Sequence, residues 1–130
     1  MSNALVITPL RNAVASLSTA LAQPKNEFIR DAVIQRFEYT YELAWKMLRR
    51  QMVEDLGAES VTPLSRQDLF RLAAERGLIA DPLPWFAYHK ARNITSHTYN
   101  EAVAEEIYQA AQSFLGDAEG LLRALGTSDA

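Results

Sequence analysis

The chain has 130 residues, 48% hydrophobic and 22% charged, with a formal net charge of −3. Residues 1–130 read as one domain, large enough to bury a core without cross-links or metals, and the acidic balance excludes a surface that coats nucleic acid wholesale. There is no cysteine, which excludes a disulfide framework and a thiolate zinc site and fits a reducing cytoplasm. No apolar run reaches the roughly 20 residues of a membrane span, and no basic segment followed by an apolar block marks a leader.

Met1–Ile7 reads as an irregular arm. Thr8 is placed to cap a first helix with Pro9 at its first position, and Leu10, Val14, Leu17 and Leu21 recur at helical spacing to about Ala22. Pro24 interrupts, and Asn26 is placed to cap a long second helix from about Glu27 to Asp55. Val33, Phe37, Tyr41, Ala44, Leu48 and Met52 form its continuous apolar face, and Gly57 suits its end. Glu38 and Glu42 lie one turn apart, where a solvated or interface face is expected. Glu42 precedes Lys46 by four residues in the stabilising order.

Ala58–Leu64 reads as a loop. Ser65, with Asp68 three residues on, signals a short helix to about Arg76, closed by Gly77. Asp81-Pro82 opens a further helix carrying Trp85, Phe86 and Tyr88, an aromatic group expected in the core or an interface. Thr98 and Glu101 fit the capping-box spacing for a last helix. That helix runs through Val103, Ile107, Ala110, Phe114 and Leu121 to about Leu125. No stretch alternates with a strand period, and no repeat is present. The expectation is an all-α fold, an up-and-down helical bundle of four main helices plus a short helix.

From Pro82 to Asn100 the chain lacks Asp and Glu. Within that island, Arg92 and His97 would sit about 140° apart on an unbroken helix. They converge only if the helix ends between them, and Asn93, Thr95 and Ser96 favour such an ending. Arg92 is then expected in a last turn, His97 just before the next N-cap, and Tyr99 at the first position of the final helix. Free N–H groups at that terminus suit an anion, with Arg92 as a planar cation and His97 as the proton-exchanging group. Asn93 and Ser96 are candidate binding residues.

Each residue also has a plainer account. Arg92 suits a helix C-terminus by its charge alone, His97 can serve loop backbone, and Tyr99 can be a packing aromatic. His89 matches no metal spacing with His97; a solvated or interface position is expected for it. Lys46, Arg49 and Arg50 make a small basic cluster that reads as a solvated face, or as an extension of the cleft if it faces Arg92.

The arrangement Arg92-x4-His97-x-Tyr99, with Asn93 after the arginine, resembles the signature of HEPN domains. More narrowly, it is similar to those paired with minimal nucleotidyltransferases, also described as nucleotidyltransferase substrate-binding proteins. Arg36 to Lys46 (RFEYTYELAWK) resembles that subfamily's long helix, and Arg66, Gly77-Leu78-Ile79 and Trp85 fall where its pattern has them. The likeness spans roughly Asp31 to Tyr108. It implies a homodimer that brings two motif copies into one cleft, and a metal-independent endoribonuclease toxin with no cofactor. In that scheme Arg92 stabilises charge on the scissile phosphate. His97 acts as general acid or base, and a cognate minimal nucleotidyltransferase silences the toxin by attaching AMP to Tyr99. The alternative it leaves open is a non-catalytic subunit that binds a nucleotide for the same partner.

Overall fold

A computed structural model describes residues 6–128; most of the expected N-terminal arm therefore lies outside the described residues. Among the described residues six helices follow in order: α1 (Thr8–Leu21), α2 (Glu27–Leu56), α3 (Ala58–Val61), α4 (Arg66–Glu75), α5 (Pro82–Asn93) and α6 (Glu101–Ser128), with a 3₁₀ turn at Thr95–His97 between the last two. The same residues contain no strand.

Cross-contacts give the directions. Thr40 Oγ1 donates to the Ala13 carbonyl and Arg36 Nε to Ser16 Oγ, so α1 runs antiparallel to α2. His89 meets Tyr41 while Thr95, just past α5, meets Glu38, so α5 also runs against α2. Tyr88 meets Asp117 across the α5–α6 hairpin. Arg30 pairs with Glu101 at 2.6 Å and Lys25 with Glu105 at 2.5 Å, joining the starts of α2 and α6. The main helices α1, α2, α5 and α6 thus form the expected up-and-down bundle, with α3 and α4 inserted.

The apolar face expected on α2 is the buried one: Val33, Phe37, Tyr41, Ala44, Leu48 and Met52 all lie in the core. Phe114 of α6 anchors an aromatic cluster there, 5.3 Å from Phe37, 5.6 Å from Trp85 and 5.1 Å from Tyr88 between ring centroids, each edge to face. Such edge contacts add to burial because ring edges and faces carry opposite partial charge. Trp85 and Tyr88 are therefore core residues, with Phe86 packed against them. The Tyr88 hydroxyl donates to Asp117, and burial followed by that carboxylate pushes its pKa up.

Three of the expected caps form. Asn26 Oδ1 accepts from Ile29 N at 2.8 Å, Ser65 Oγ from Asp68 N at 3.1 Å and Asp81 Oδ1 from Leu83 N at 3.0 Å. Two others differ. The cap of α1 is Ile7, with no side-chain bond, and Thr8 is already helical. The capping box at Thr98 is not made: Asn100 Oδ1 accepts from Ala102 N and Val103 N, and Glu101 turns instead to Arg30. A charged pair holds Glu101 more strongly than a neutral backbone amide would. The expected loop at 58–64 contains the single turn α3, which follows Gly57 with φ of +89°, a left-handed backbone that favours glycine. At the other end, α6 continues past Leu125 through Gly126.

Candidate functional site

The helix break expected between Arg92 and His97 is present. Arg92 lies in the last turn of α5, and the 3₁₀ turn places His97 ahead of α6. His97 N donates to the Ile94 carbonyl and Asn100 N to the His97 carbonyl, which ties the turn to both flanks. His97, Ser96 and Tyr99 are exposed, with Tyr99 82% accessible. The Tyr99 hydroxyl is 3.4 Å from His97 Nδ1, and the two rings meet edge to face at 5.9 Å. Because Asn100 caps α6, Tyr99 precedes the helix; it is not the first helical residue that the sequence suggested.

Arg92 turns the other way. Its Nη1 is 3.5 Å from Glu38 Oε2 and its Nε 3.0 Å from Glu42 Oε2. The buried Nε–H is not aligned on that oxygen, so the contact is an ion pair without a full hydrogen bond. Thr95 Oγ1 lies 3.2 Å from Glu38 Oε2 and 2.9 Å from the Arg92 carbonyl, pinning the chain where α5 ends. Glu38 and Glu42 thus pair with the motif arginine across the α2–α5 seam while their side chains stay 41% and 30% exposed, a partner that spacing alone did not reveal. Glu42 Oε1 also accepts from Trp45 Nε1 at 3.3 Å, and the expected pair with Lys46 is loose at 3.9 Å.

Beside this pair lies a cluster with no carboxylate in it. Arg66 Nη1 is 3.0 Å from the Tyr41 hydroxyl and 3.1 Å from His89 Nδ1, and that hydroxyl is 3.0 Å from the same nitrogen. The guanidinium can only donate, so its contact favours Nδ1 as the acceptor and a ring proton on Nε2. Asn93 Nδ2 is 3.4 Å from Nε2, so a proton on Nε2 requires the Asn93 amide to be reversed, with its oxygen facing the ring. Burial first, then the Arg66 and Arg92 cations against an opposing Glu42, hold the His89 pKa below its ordinary value. Burial also pushes the Tyr41 phenol up to about 12, against the pull of Arg66. His89 is therefore a half-buried network residue, where a solvated or interface position was expected.

Of the residues singled out from sequence, the fold brings Arg92 and Asn93 to the α2–α5 seam and His97, Ser96 and Tyr99 to the adjoining turn. Glu38, Glu42, Arg66 and His89 join them. One signal for the first two was available: an acid-free α5 needs carboxylates from elsewhere, and Glu38 and Glu42 are the i, i+4 pair on the longest helix.

Comparison with known proteins matches the family described as "Nucleotidyltransferase substrate binding protein like" over residues 5–127. A curated Haemophilus influenzae protein named "Probable ribonuclease HepT" is 40% identical over 93 residues, which cover 71% of this chain and 64% of that protein. The chain thus spans less than two thirds of that relative's length. A solved Haemophilus influenzae structure, described as revealing the fold of a substrate binding domain of a nucleotidyltransferase, superposes with a TM-score of 0.85 at 32% identity. That match covers 92% of this chain and 98% of the other. A Thermus thermophilus structure gives 0.76 at 33% identity, covering 89% and 98%. Among the described residues, no helix is long and apolar enough to cross a membrane.

Proposed function

The chain belongs to the nucleotidyltransferase substrate-binding protein-like family, and on that premise we propose a HEPN-type toxin, a metal-independent endoribonuclease controlled by a cognate minimal nucleotidyltransferase. The observation that carries the reading is the junction itself: His97 and Tyr99 stand exposed, the Tyr99 hydroxyl 3.4 Å from His97 Nδ1, just past the last turn of α5 that carries Arg92. The naming of the Haemophilus influenzae relative as a probable ribonuclease supports it.

In this scheme His97 accepts the proton of a ribose 2′-hydroxyl as that oxygen attacks the neighbouring phosphorus. The P–O bond to the 5′-oxygen breaks, and a proton returns to that leaving oxygen. Arg92 counters the charge that builds on the phosphoryl oxygens. A homodimer would supply two such junctions to one cleft, in a cytoplasmic setting. Silencing follows from position. The Tyr99 oxygen attacks the α-phosphorus of ATP held by the partner, pyrophosphate leaves, and the phenolic proton is lost. The attached AMP then covers His97 and offers its own phosphate to the cations that RNA needs.

RNA cleavage by the purified, unmodified protein in EDTA, lost in Arg92→Ala and in His97→Ala, tests the reading. Intact RNA across a broad substrate set overturns it. A second reading rests on the pairing of Arg92 with two carboxylates: a subunit that binds a nucleotide for its partner and cuts nothing. Nucleotide binding and co-purification with the nucleotidyltransferase, without hydrolysis, would select it.

A further inference from the structure

The cations around α2 are not distributed as a random solvated face. Arg66, at the first position of α4, is only partly exposed, yet its contacts are the Tyr41 hydroxyl, His89 Nδ1 and the Trp45 ring, whose centroid lies 3.5 Å from its Cζ. Every one of those partners is neutral. Among the described residues Arg66 has no carboxylate partner; Glu42, the acid on the same stretch, directs its oxygens to Arg92, Trp45 Nε1 and Lys46. A half-buried cation held by dipoles and a ring face is stabilised in place but not neutralised.

Helix geometry puts further positive charge in line with it. Tyr41, Trp45 and Arg49 repeat at i, i+4 and i+8, so they form one row along α2. Arg66 lies over the first two, and Arg49 Nη2 reaches Thr62 Oγ1 at 3.5 Å just beyond. Lys46 and Arg50 are exposed beside the row. From Leu43 to Val53 the helix carries Lys46, Arg49 and Arg50 and no acid. At the other end of the row, Arg92 docks on Glu38 and Glu42. From Glu38 to Arg49 the helix advances roughly 16 Å, enough for more than one phosphate.

We propose that Arg66, with Lys46 and Arg49, forms a track along α2 for the backbone phosphates of a single RNA strand, flanking the phosphate at the Arg92–His97 junction. The track rests on the ribonuclease reading for its ligand, but not for its charge. It also reconciles an acidic protein with an RNA partner: the attraction is confined to one strip, along α2 and the start of α4.

The test is fluorescence anisotropy of a 2′-O-methyl RNA oligonucleotide, which cannot be cleaved, with the full chain across a range of salt. On a single strand, every phosphate that the protein no longer neutralises lowers the slope of log affinity against log salt by about 0.7. Arg49→Ala and Arg66→Gln should each flatten the slope by about that amount and weaken binding several-fold at low salt. Lys90→Ala, an exposed cation on the neighbouring helix, should leave both unchanged. Among the described residues the Arg49 guanidinium makes one hydrogen bond, the long one to Thr62, so Arg49→Ala decides the matter even if Arg66→Gln fails to fold. Unchanged slopes in Arg49→Ala, with RNA still cleaved, overturn the track and leave the ribonuclease reading standing. Flattened slopes in a protein that never cleaves RNA retain the track and remove the ribonuclease.

Discussion

Arg92 Nε lies 3.0 Å from Glu42 Oε2, yet its N–H is not aligned on that oxygen. The pair is about a third exposed on each side, so its net stabilisation is on the order of 1 kcal/mol or less. Its larger effect is on charge: with Glu38 nearby, the motif arginine offers an incoming phosphate little net attraction. Glu42→Gln should therefore strengthen binding of an uncleavable RNA oligonucleotide several-fold while lowering stability by no more than about 1 kcal/mol. Anisotropy and urea melts measure both; weaker binding in this variant would show that Glu42 orients Arg92 more than it neutralises it.

His89 gives a pH signature. Its folded pKa is depressed below the ordinary value of 6.5 by burial and by Arg66 and Arg92, with Glu42 opposing. Between those two values the unfolded chain binds the proton and the folded chain does not. The stabilisation is therefore complete above about pH 6.5 and falls as pH drops through that window. Denaturant midpoints should decline from pH 7.5 to pH 5, and His89→Gln should show a shallower decline. Glu101 and Glu105, whose pKa values Arg30 and Lys25 hold down, contribute their own loss at lower pH in both proteins.

The Tyr41 hydroxyl is fully buried between Arg66 and His89. Tyr41→Phe keeps the ring packing and leaves Arg66 Nη1 and His89 Nδ1 to each other at 3.1 Å, so urea melts should show a cost of only about 0.5 to 1.5 kcal/mol. Nitrogen shifts of His89 should report the Nε2–H tautomer in the parent protein. Loss of that signature in Arg66→Gln would confirm that the guanidinium sets the proton's position, and an Nδ1–H ring in the parent would refute it.

Phe114 touches Phe37, Trp85 and Tyr88 by ring edges and is fully buried. Phe114→Ala should destabilise by roughly 3 to 5 kcal/mol, because the rings around the cavity cannot all close on it. Urea unfolding gives the value. A loss below 1 kcal/mol would mean that the bundle collapses around the gap.

At the junction, co-expression with the cognate nucleotidyltransferase should add one or more AMP units of about 329 Da each to the intact mass. Peptide mapping should place the added mass on Tyr99. Tyr99→Phe should retain ribonuclease activity and lose the mass shift. A shift that persists in Tyr99→Phe would assign the modification elsewhere.

The bundle was legible because its apolar positions keep one helical period: Val33 to Met52 on α2 point inward without exception. Punctuation was legible wherever one side chain had one use, as at Asn26, Ser65 and Asp81. It misled at Thr98 because Glu101 had a competing partner, Arg30, 71 residues away. The same limit hid the seam. Spacing shows that Glu38 and Glu42 share a face, but not that α5 lies against it, and nothing local to His89 reveals Arg66 at its Nδ1. The break between Arg92 and His97 was readable from helix geometry, whereas the inward turn of Arg92 was not.

The parallel course of α2 and α6 has a practical consequence. Ile7 packs near Gly126, so the start of α1 and the end of α6 lie together, while Tyr99 stands at the opposite pole. The 28 residues of α6 separate the two by roughly 40 Å. A fluorophore, affinity handle or fused domain joined at either outer end would therefore sit a full helix length from the tyrosine, and a nucleotidyltransferase approaching that pole would meet it unobstructed.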